Sequence, residues 1–190
     1  MLVSRGNSKP CIGRDTLILN ITSAWDCESQ KLGLCKIPVH KCYARRCEIF
    51  RPNVLAYRRK QTTQWDGMSP DELTAGILAK AKRIRSGPSI KYLRISESGD
   101  LRNQADVFKL SRIAHALGRK GIKTYVYTAR SDLDFSRVSR YLTVNGSGFM
   151  VHNEYRAVKG LPAKETVCPN KAKCKLCKVR GGVTVLTKLR

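Results

Sequence analysis

The segment Ile90-Lys91-Tyr92-Leu93-Arg94-Ile95-Ser96, running into the polar Glu97-Ser98-Gly99-Asp100, decides how this chain is read. Its apolar, aromatic and β-branched residues predict a strand, and the glycine-bearing tetrapeptide predicts the loop that ends it. Directly downstream, Val107, Leu110, Ala114 and Leu117 recur at helical spacing between Asn103 and Arg119, with Gly121 placed to terminate the helix. Lys123 to Thr128 then reads as a second strand. Strand, helix, strand with a right-handed crossover implies parallel neighbours in one sheet.

Working outward, Leu17-Ile18-Leu19-Asn20-Ile21-Thr22 reads as a buried strand that empties into a cysteine-bearing loop. Pro52 is placed to open a helix through Val54, Leu55 and Tyr57 toward Trp65, whose expected role is packing. Ser69-Pro70-Asp71-Glu72 is a capping box with proline at the first helical position, followed by Leu73, Ile77, Ala81 and Ile84 at helical spacing, and Gly87-Pro88 stops that helix. Asp134 to Ser139 is expected as a short helix, Tyr141 to Val144 as a strand ending in Asn145-Gly146-Ser147-Gly148, and Val183 to Leu186 as a last strand. The expectation is an α/β fold with a small, largely parallel sheet or partial β/α barrel. Residues 1–160 would form the core with a first cysteine cluster, and residues 161–190 a cysteine-rich, metal-binding C-terminal appendage.

In such sheets the loops at the carboxyl ends of the strands converge and carry the chemistry. Glu97, Ser98, Gly99 and Asp100, then Arg130, then Asn145 each follow a predicted strand, so they are candidate cofactor contacts on one face. The first cysteine group follows the first strand and belongs to the same edge.

Composition bounds the partners. With 190 residues the chain can build one domain with a true core. Lys and Arg number 37 against 14 Asp and Glu, a formal charge of +23, so the surface field favours polyanions, nucleic acid first. No apolar run approaches the roughly 18–20 residues that a membrane span needs, and the N-terminus lacks the apolar centre of a signal peptide. The expectation is a protein of the cytoplasm, without a membrane partner.

Thiols in a cytosolic chain suggest metal ligation before disulfides. Cys27, Cys35 and Cys42 are spaced C-x7-C-x6-C, with Cys47 five residues on and off the expected ligand face. Cys168, Cys174 and Cys177 form C-x5-C-x2-C, with Cys11, Cys47 or His152 as candidate fourth ligands, while His40 and His115 read as structural. Soft sulfur selects zinc, copper(I) or iron–sulfur clusters, and the missing C-x2-C knuckle in the first group argues against zinc there. The alternative, that all are inert buried thiols, is disfavoured by their grouping between lysines and arginines. Arg45, Arg46, Arg58, Arg59 and Lys60 form one basic stretch, and Lys173 and Lys175 belong to another around the second group, as candidate phosphate contacts. Tyr43 and Tyr57 are placed to stack on bases.

Asp26-Cys27, Leu32-Gly33-Leu34-Cys35, Cys42-Tyr43-Ala44, Tyr57-Arg58-Arg59, Arg94 to Asp100, Tyr127-Thr128-Ala129-Arg130 and Asn145 to Phe149, taken in order, resemble the phage "gene product 88" proteins over nearly the whole chain. The resemblance implies a viral or mobile-element source, and hence the host cytoplasm. More distantly, the chain resembles radical S-adenosylmethionine enzymes, whose partial barrels hold a three-cysteine [4Fe-4S] cluster after the first strand, the last cysteine followed by an aromatic residue, as in Cys42-Tyr43. Glu97-Ser98-Gly99-Asp100 resembles the segment with which those enzymes hold the methionine amino group. Their C-x3-C-x2-C is here widened. That likeness implies an iron–sulfur cluster, a second one on the terminal cysteines, and S-adenosylmethionine, with zinc as the alternative metal. The function expected is an iron–sulfur protein acting on or bound to nucleic acid. The alternative is a non-catalytic, metal-stabilised nucleic-acid or nucleoprotein-binding module, or a regulator of the same build.

Overall fold

In the computed structural model of the chain, which describes residues 1–6, 12–160, 166–169 and 174–188, seven strands form one sheet. They are β1 (Ser4–Arg5), β2 (Thr16–Leu19), β3 (Tyr92–Ile95), β4 (Lys123–Thr128), β5 (Leu142–Ser147), β6 (Asn153–Val158) and β7 (Thr184–Lys188), side by side in chain order. β1 pairs antiparallel with β2, and every pairing from β2 to β7 is parallel. A doubly wound sheet reverses its order at a switch point; a sequential parallel order instead puts its right-handed crossovers on one side, as in barrel winding. β1 and β7 lie at opposite ends, so the described strands make an open sheet.

Between β2 and β3 run α1 (Glu28–Lys31), a 3-10 turn (Val39–Lys41), α2 (Tyr43–Phe50), α3 (Pro52–Gly67) and α4 (Pro70–Arg83), and α5 (Gln104–Gly118) joins β3 to β4. The predicted start signals act as expected. Ser69 Oγ accepts from the Glu72 amide at 3.2 Å while the Glu72 carboxylate accepts from the Ser69 amide at 2.7 Å, and Asn103 caps α5 by accepting from Asp106 N at 3.0 Å. Proline opens both α3 and α4.

Because side chains alternate across a strand, each strand has a helix-facing and an opposite set. Leu17, Leu19, Leu93, Ile95, Val126, Leu142 and Val144 pack with Trp65, Leu73, Ile77, Leu110, Ile113 and Leu117 of the helices. Truncating one such side chain to alanine costs about 2–5 kcal/mol. Trp65 is a core residue, as read from sequence, and its indole N–H donates to buried Asp106 at 2.7 Å. Lys109 closes the same corner by donating to the Trp65 and Met68 carbonyls.

Three expectations change. Residues Asp134–Ser139 form turns and no helix; Asp134 accepts from the Ser136 amide at 2.8 Å and donates its own amide to Gln104. β6 was not foreseen, because its sequence is largely polar; it starts beside the end of β5, pairing Asn153 with Asn145, so the short loop 148–152 suffices as a connection. The C-terminal segment contributes β7 to the main sheet, and Val167 bridges to Leu186 on β7, so its described part is built into the core sheet and is no appendage.

Candidate functional site

The first cysteine group lies where the sequence places it, in the loop after β2. Cys27 is the N-cap of α1, and Leu34 and Cys35 both donate their amides to the Ser29 carbonyl, at 2.9 and 3.0 Å, which folds the loop back on itself. Cys42 is the N-cap of α2 and so lies at a helix N-terminus, where the dipole favours an anion. The Cys27 sulfur is 3.2 Å from Ser29 Oγ. Burial pushes the Cys27 and Cys35 thiols up, and the neighbouring Asp100 charge adds to both; each of these thiols also feels another of the group, Cys27 feeling Cys35 and Cys35 feeling Cys42. Cys35 thus lies within electrostatic reach of each of the other two, and a metal entering would displace protons. In donor chemistry they suit an iron–sulfur or zinc centre. Among the described residues, however, no three Cys, His, Asp or Glu side chains converge on one point able to hold a metal ion.

A buried carboxylate organises this edge. Glu48, on α2, accepts from the amides of Ala24 (2.8 Å) and Trp25 (3.0 Å) just before Cys27, from the Ser98 hydroxyl (2.7 Å) and from Arg58 (2.8 Å). It therefore ties the cysteine loop to α3 and to the loop after β3. In that loop Ser96 holds a left-handed φ of 55°, and its buried hydroxyl has no partner among the described residues. Gly99 has φ +68°, and a Cβ there would sit 2.0 Å from Thr22 Oγ1, so only glycine fits.

The candidate cofactor residues divide. Asp100 is buried under the edge: it accepts from the amides of Leu101 and Ala129, each at 2.8 Å, and burial holds its carboxyl above the usual range against the hydrogen bonds of Thr128, these amides and Ser29. Arg130 is also buried and donates to the Leu101 and Arg102 carbonyls and to Asp132. Asn145 is fully buried, donating to the Val126 and Cys177 carbonyls and accepting from Asn153. These three brace loops against one another. Ser98 likewise faces inward, its amide bonded to Asn20. Glu97 is the exception: half-buried, it lines a small cleft with Asn20, Asn53, Tyr57 and Arg58.

The face of the sheet opposite the helices carries a cavity of about 460 Å³. Its floor comes from alternate strand positions, Arg94 of β3, Tyr125 and Tyr127 of β4 and Tyr155 of β6. Cys35 of the first group and Cys168, Cys174 and Cys177 of the second share its wall, so one member of the first group faces the same space as the second group without meeting it at a point. Cys168 is held against β7 by its amide, which donates to the Leu186 carbonyl at 2.9 Å. Cys177 rides a 3-10 turn (Leu176–Lys178) pinned to the sheet by the Asn145 and Asn153 side chains. Burial, with the Cys177 thiol beside it, pushes the Tyr127 hydroxyl well above its ordinary range, and Tyr155 is raised for the same two reasons.

The family model described as "Gene product 88" matches residues 1–147. The chain belongs to the gene product 88 family. The matched residues end with β5, so they hold the first cysteine group, the Ser96–Asp100 loop, Arg130 and Asn145, while the terminal cysteines lie beyond them. No curated protein and no solved structure matches the chain. No helix among the described residues of this gene product 88 protein is long and apolar enough to cross a membrane.

The predicted phosphate contacts scatter. Arg46, Lys60 and Lys175 are exposed, Arg45 stacks over the exposed Trp25 ring at 3.9 Å, and Arg59 pairs with Asp26 at 3.0 Å while half-exposed. Arg58, by contrast, is 6% exposed and locked to Glu48 in a structural ion pair that already answers its charge. Lys173 and Cys11 lie outside the described residues. His152, weighed as a ligand, instead accepts from the Val144 amide through Nδ1 at 2.9 Å. Glu48, Arg94, Tyr127 and Tyr155 were missed; the period-two spacing of Arg94 in β3, and of Tyr125 and Tyr127 in β4, was the available signal.

Proposed function

We propose that this gene product 88 protein is an iron–sulfur protein of radical S-adenosylmethionine type that acts on nucleic acid or its nucleotide units. The observation that carries the reading is the six-strand parallel run in sequential order, with a three-thiol loop at the carboxyl end of its first strand. Cys27, Cys35 and Cys42 would hold the cluster, and Cys168, Cys174 and Cys177 a second one. Bound there, cluster and S-adenosylmethionine would supply one-electron chemistry, for which the protein provides position and environment.

The protein's own residues supply position and environment. Glu48 fixes the approach of the chain to Cys27, and Asp100 spans the loops after β2, β3 and β4. Glu97 offers an accessible carboxylate at the same edge for a cationic amino group. The cavity, walled by aromatic rings and thiols, limits access of water to whatever it encloses.

Anaerobic purification tests this. The expected result is a brown protein with about four irons and matching sulfide per cluster, and loss of one cluster's iron in Cys27→Ala. A colourless, zinc-loaded protein would sink the reading. The exposed cations Arg46, Lys60 and Lys175 favour a second one, a metal-braced nucleic-acid-binding module; a cluster-replete protein that never cleaves S-adenosylmethionine on reduction would select it.

A further inference from the structure

Arg94 projects from the middle of β3 into the cavity, where its guanidinium stacks 5.4 Å from the Tyr127 ring centroid. Its Nε is buried without a hydrogen-bond partner, and no carboxylate pairs with it among the described residues. A guanidinium with a buried, unanswered N–H is costly unless an anion arrives to meet it. The two arginines buried as whole residues do have such an answer, Arg58 in Glu48 and Arg130 in Asp132, whereas the half-buried Arg94 has none. Beside Arg94, Tyr127 and Tyr155 meet edge to face at 4.9 Å and 80°, an aromatic surface of the kind on which bases stack. Lys36, exposed on the cysteine loop, adds a second cation at the rim. The cavity's roughly 460 Å³ lies in the range of small-molecule sites, large enough for one nucleotide and far too small for a duplex.

We infer that this cavity binds a single nucleotide unit, with Arg94 and Lys36 on its phosphate and the Tyr127–Tyr155 pair against its base. The inference rests on the proposed function for its substrate class and narrows that class to one phosphorylated nucleoside, free or at a strand terminus. A planar guanidinium suits phosphate through paired N–H donors, and stacking tolerates any base, so the site would select for phosphate before base identity. The +23 charge of the chain raises the local concentration of such anions.

Titration calorimetry on the full chain as purified, whatever its iron content, tests the assignment. Adenosine 5′-monophosphate should bind more tightly than inorganic phosphate or adenosine, and Arg94→Gln should weaken it by about 10- to 100-fold, the range for losing a charge-assisted hydrogen bond. Lys36→Gln, at an exposed position outside the core, should weaken it by several-fold and serves if Arg94→Gln is poorly folded. A 5′-phosphorylated hexanucleotide binding more tightly than the monophosphate would identify a strand terminus as the source of the unit; equal affinity would identify the free nucleotide. The inference is overturned if the monophosphate binds no better than phosphate, if both variants bind like wild type, or if S-adenosylmethionine displaces the nucleotide competitively. An iron-free protein that still binds the nucleotide would overturn the proposed cofactor and leave this site standing.

Discussion

Replacing Glu48 with glutamine should unfasten the cysteine loop and cost much of the domain's stability. Glu48 side-chain exposure is 0% and that of Arg58 is 7%, so the substitution leaves a cation in the interior with its counter-charge removed. Breaking a buried pair from one side costs about 3–5 kcal/mol. The carboxylate also accepts four hydrogen bonds, two on backbone amides. A glutamine must point its NH2 group at one of these donor sets, orphaning at least one amide, so the loss should fall at the upper end of that range. For a domain of this size each kcal/mol moves Tm by about 2–4 °C, so a loss of about 4–5 kcal/mol gives a fall of roughly 8–20 °C. Denaturant melts of wild type, Glu48→Gln, Arg58→Met and the double variant form a closed cycle, in which the double variant should recover stability relative to Glu48→Gln. Because the bonded amides of Ala24 and Trp25 lead into Cys27, the Glu48→Gln protein should also react faster with a thiol reagent at that sulfur. A loss below about 1 kcal/mol, with unchanged thiol reactivity, would refute the assignment of Glu48 as the organiser of this edge.

Gly99→Ala should destabilise more than the 1 kcal/mol or so expected for strain at positive φ, since its Cβ would overlap Thr22 backbone and side chain; an unchanged melting curve would contradict the loop geometry. His152 has its pKa lowered to about 4 by burial and by nearby Arg180, so its neutral form is the folded form. Its contribution is therefore complete above pH 6.5 and is lost as pH falls toward 4, by about 1–2 kcal/mol after allowance for its partial exposure. His152→Gln should flatten that part of the stability profile, whereas Asp100, with its raised pKa, contributes most at low pH and loses its share as pH rises. If single-stranded nucleic acid binds, the logarithm of affinity should fall linearly with that of salt, and Lys60→Gln should reduce the slope by about 0.7–1 if Lys60 touches a phosphate. A slope unchanged in Lys60→Gln, Arg46→Gln and Lys175→Gln alike would move the contact surface elsewhere.

The elements easiest to read were those whose local chemistry and long-range packing agree. Pro52, the Ser69–Glu72 box and Asn103 satisfy exposed helix amides locally, so their positions were visible without knowing what the helices pack against. β6 was invisible because its buried residues, Asn153 and Glu154, are polar and find their partners Asn145 and Thr184 only through the folded sheet. The same network carries Asn145 and Gly146 on as strand where the sequence suggests a turn. At the site, the loop position of the first thiol group followed from strand order, whereas the second group, expected on an appendage, lies against the main sheet. Which polar side chains brace that edge and which face the cavity did not: Asp100, Arg130 and Asn145 look like Glu97 on paper, and only burial separates them.

Placing β7 beside β6 has a further consequence for how the protein matures. β7 is translated after every other described strand, and Cys168 and the Cys177 turn take their positions against it and the asparagine pair next to it. The helix-covered side can thus consolidate while the tail is still being made, but the thiol-lined chamber acquires its last wall only afterwards. Any inorganic ion or small molecule destined for that chamber has an open door during synthesis and a narrower one once the tail has docked.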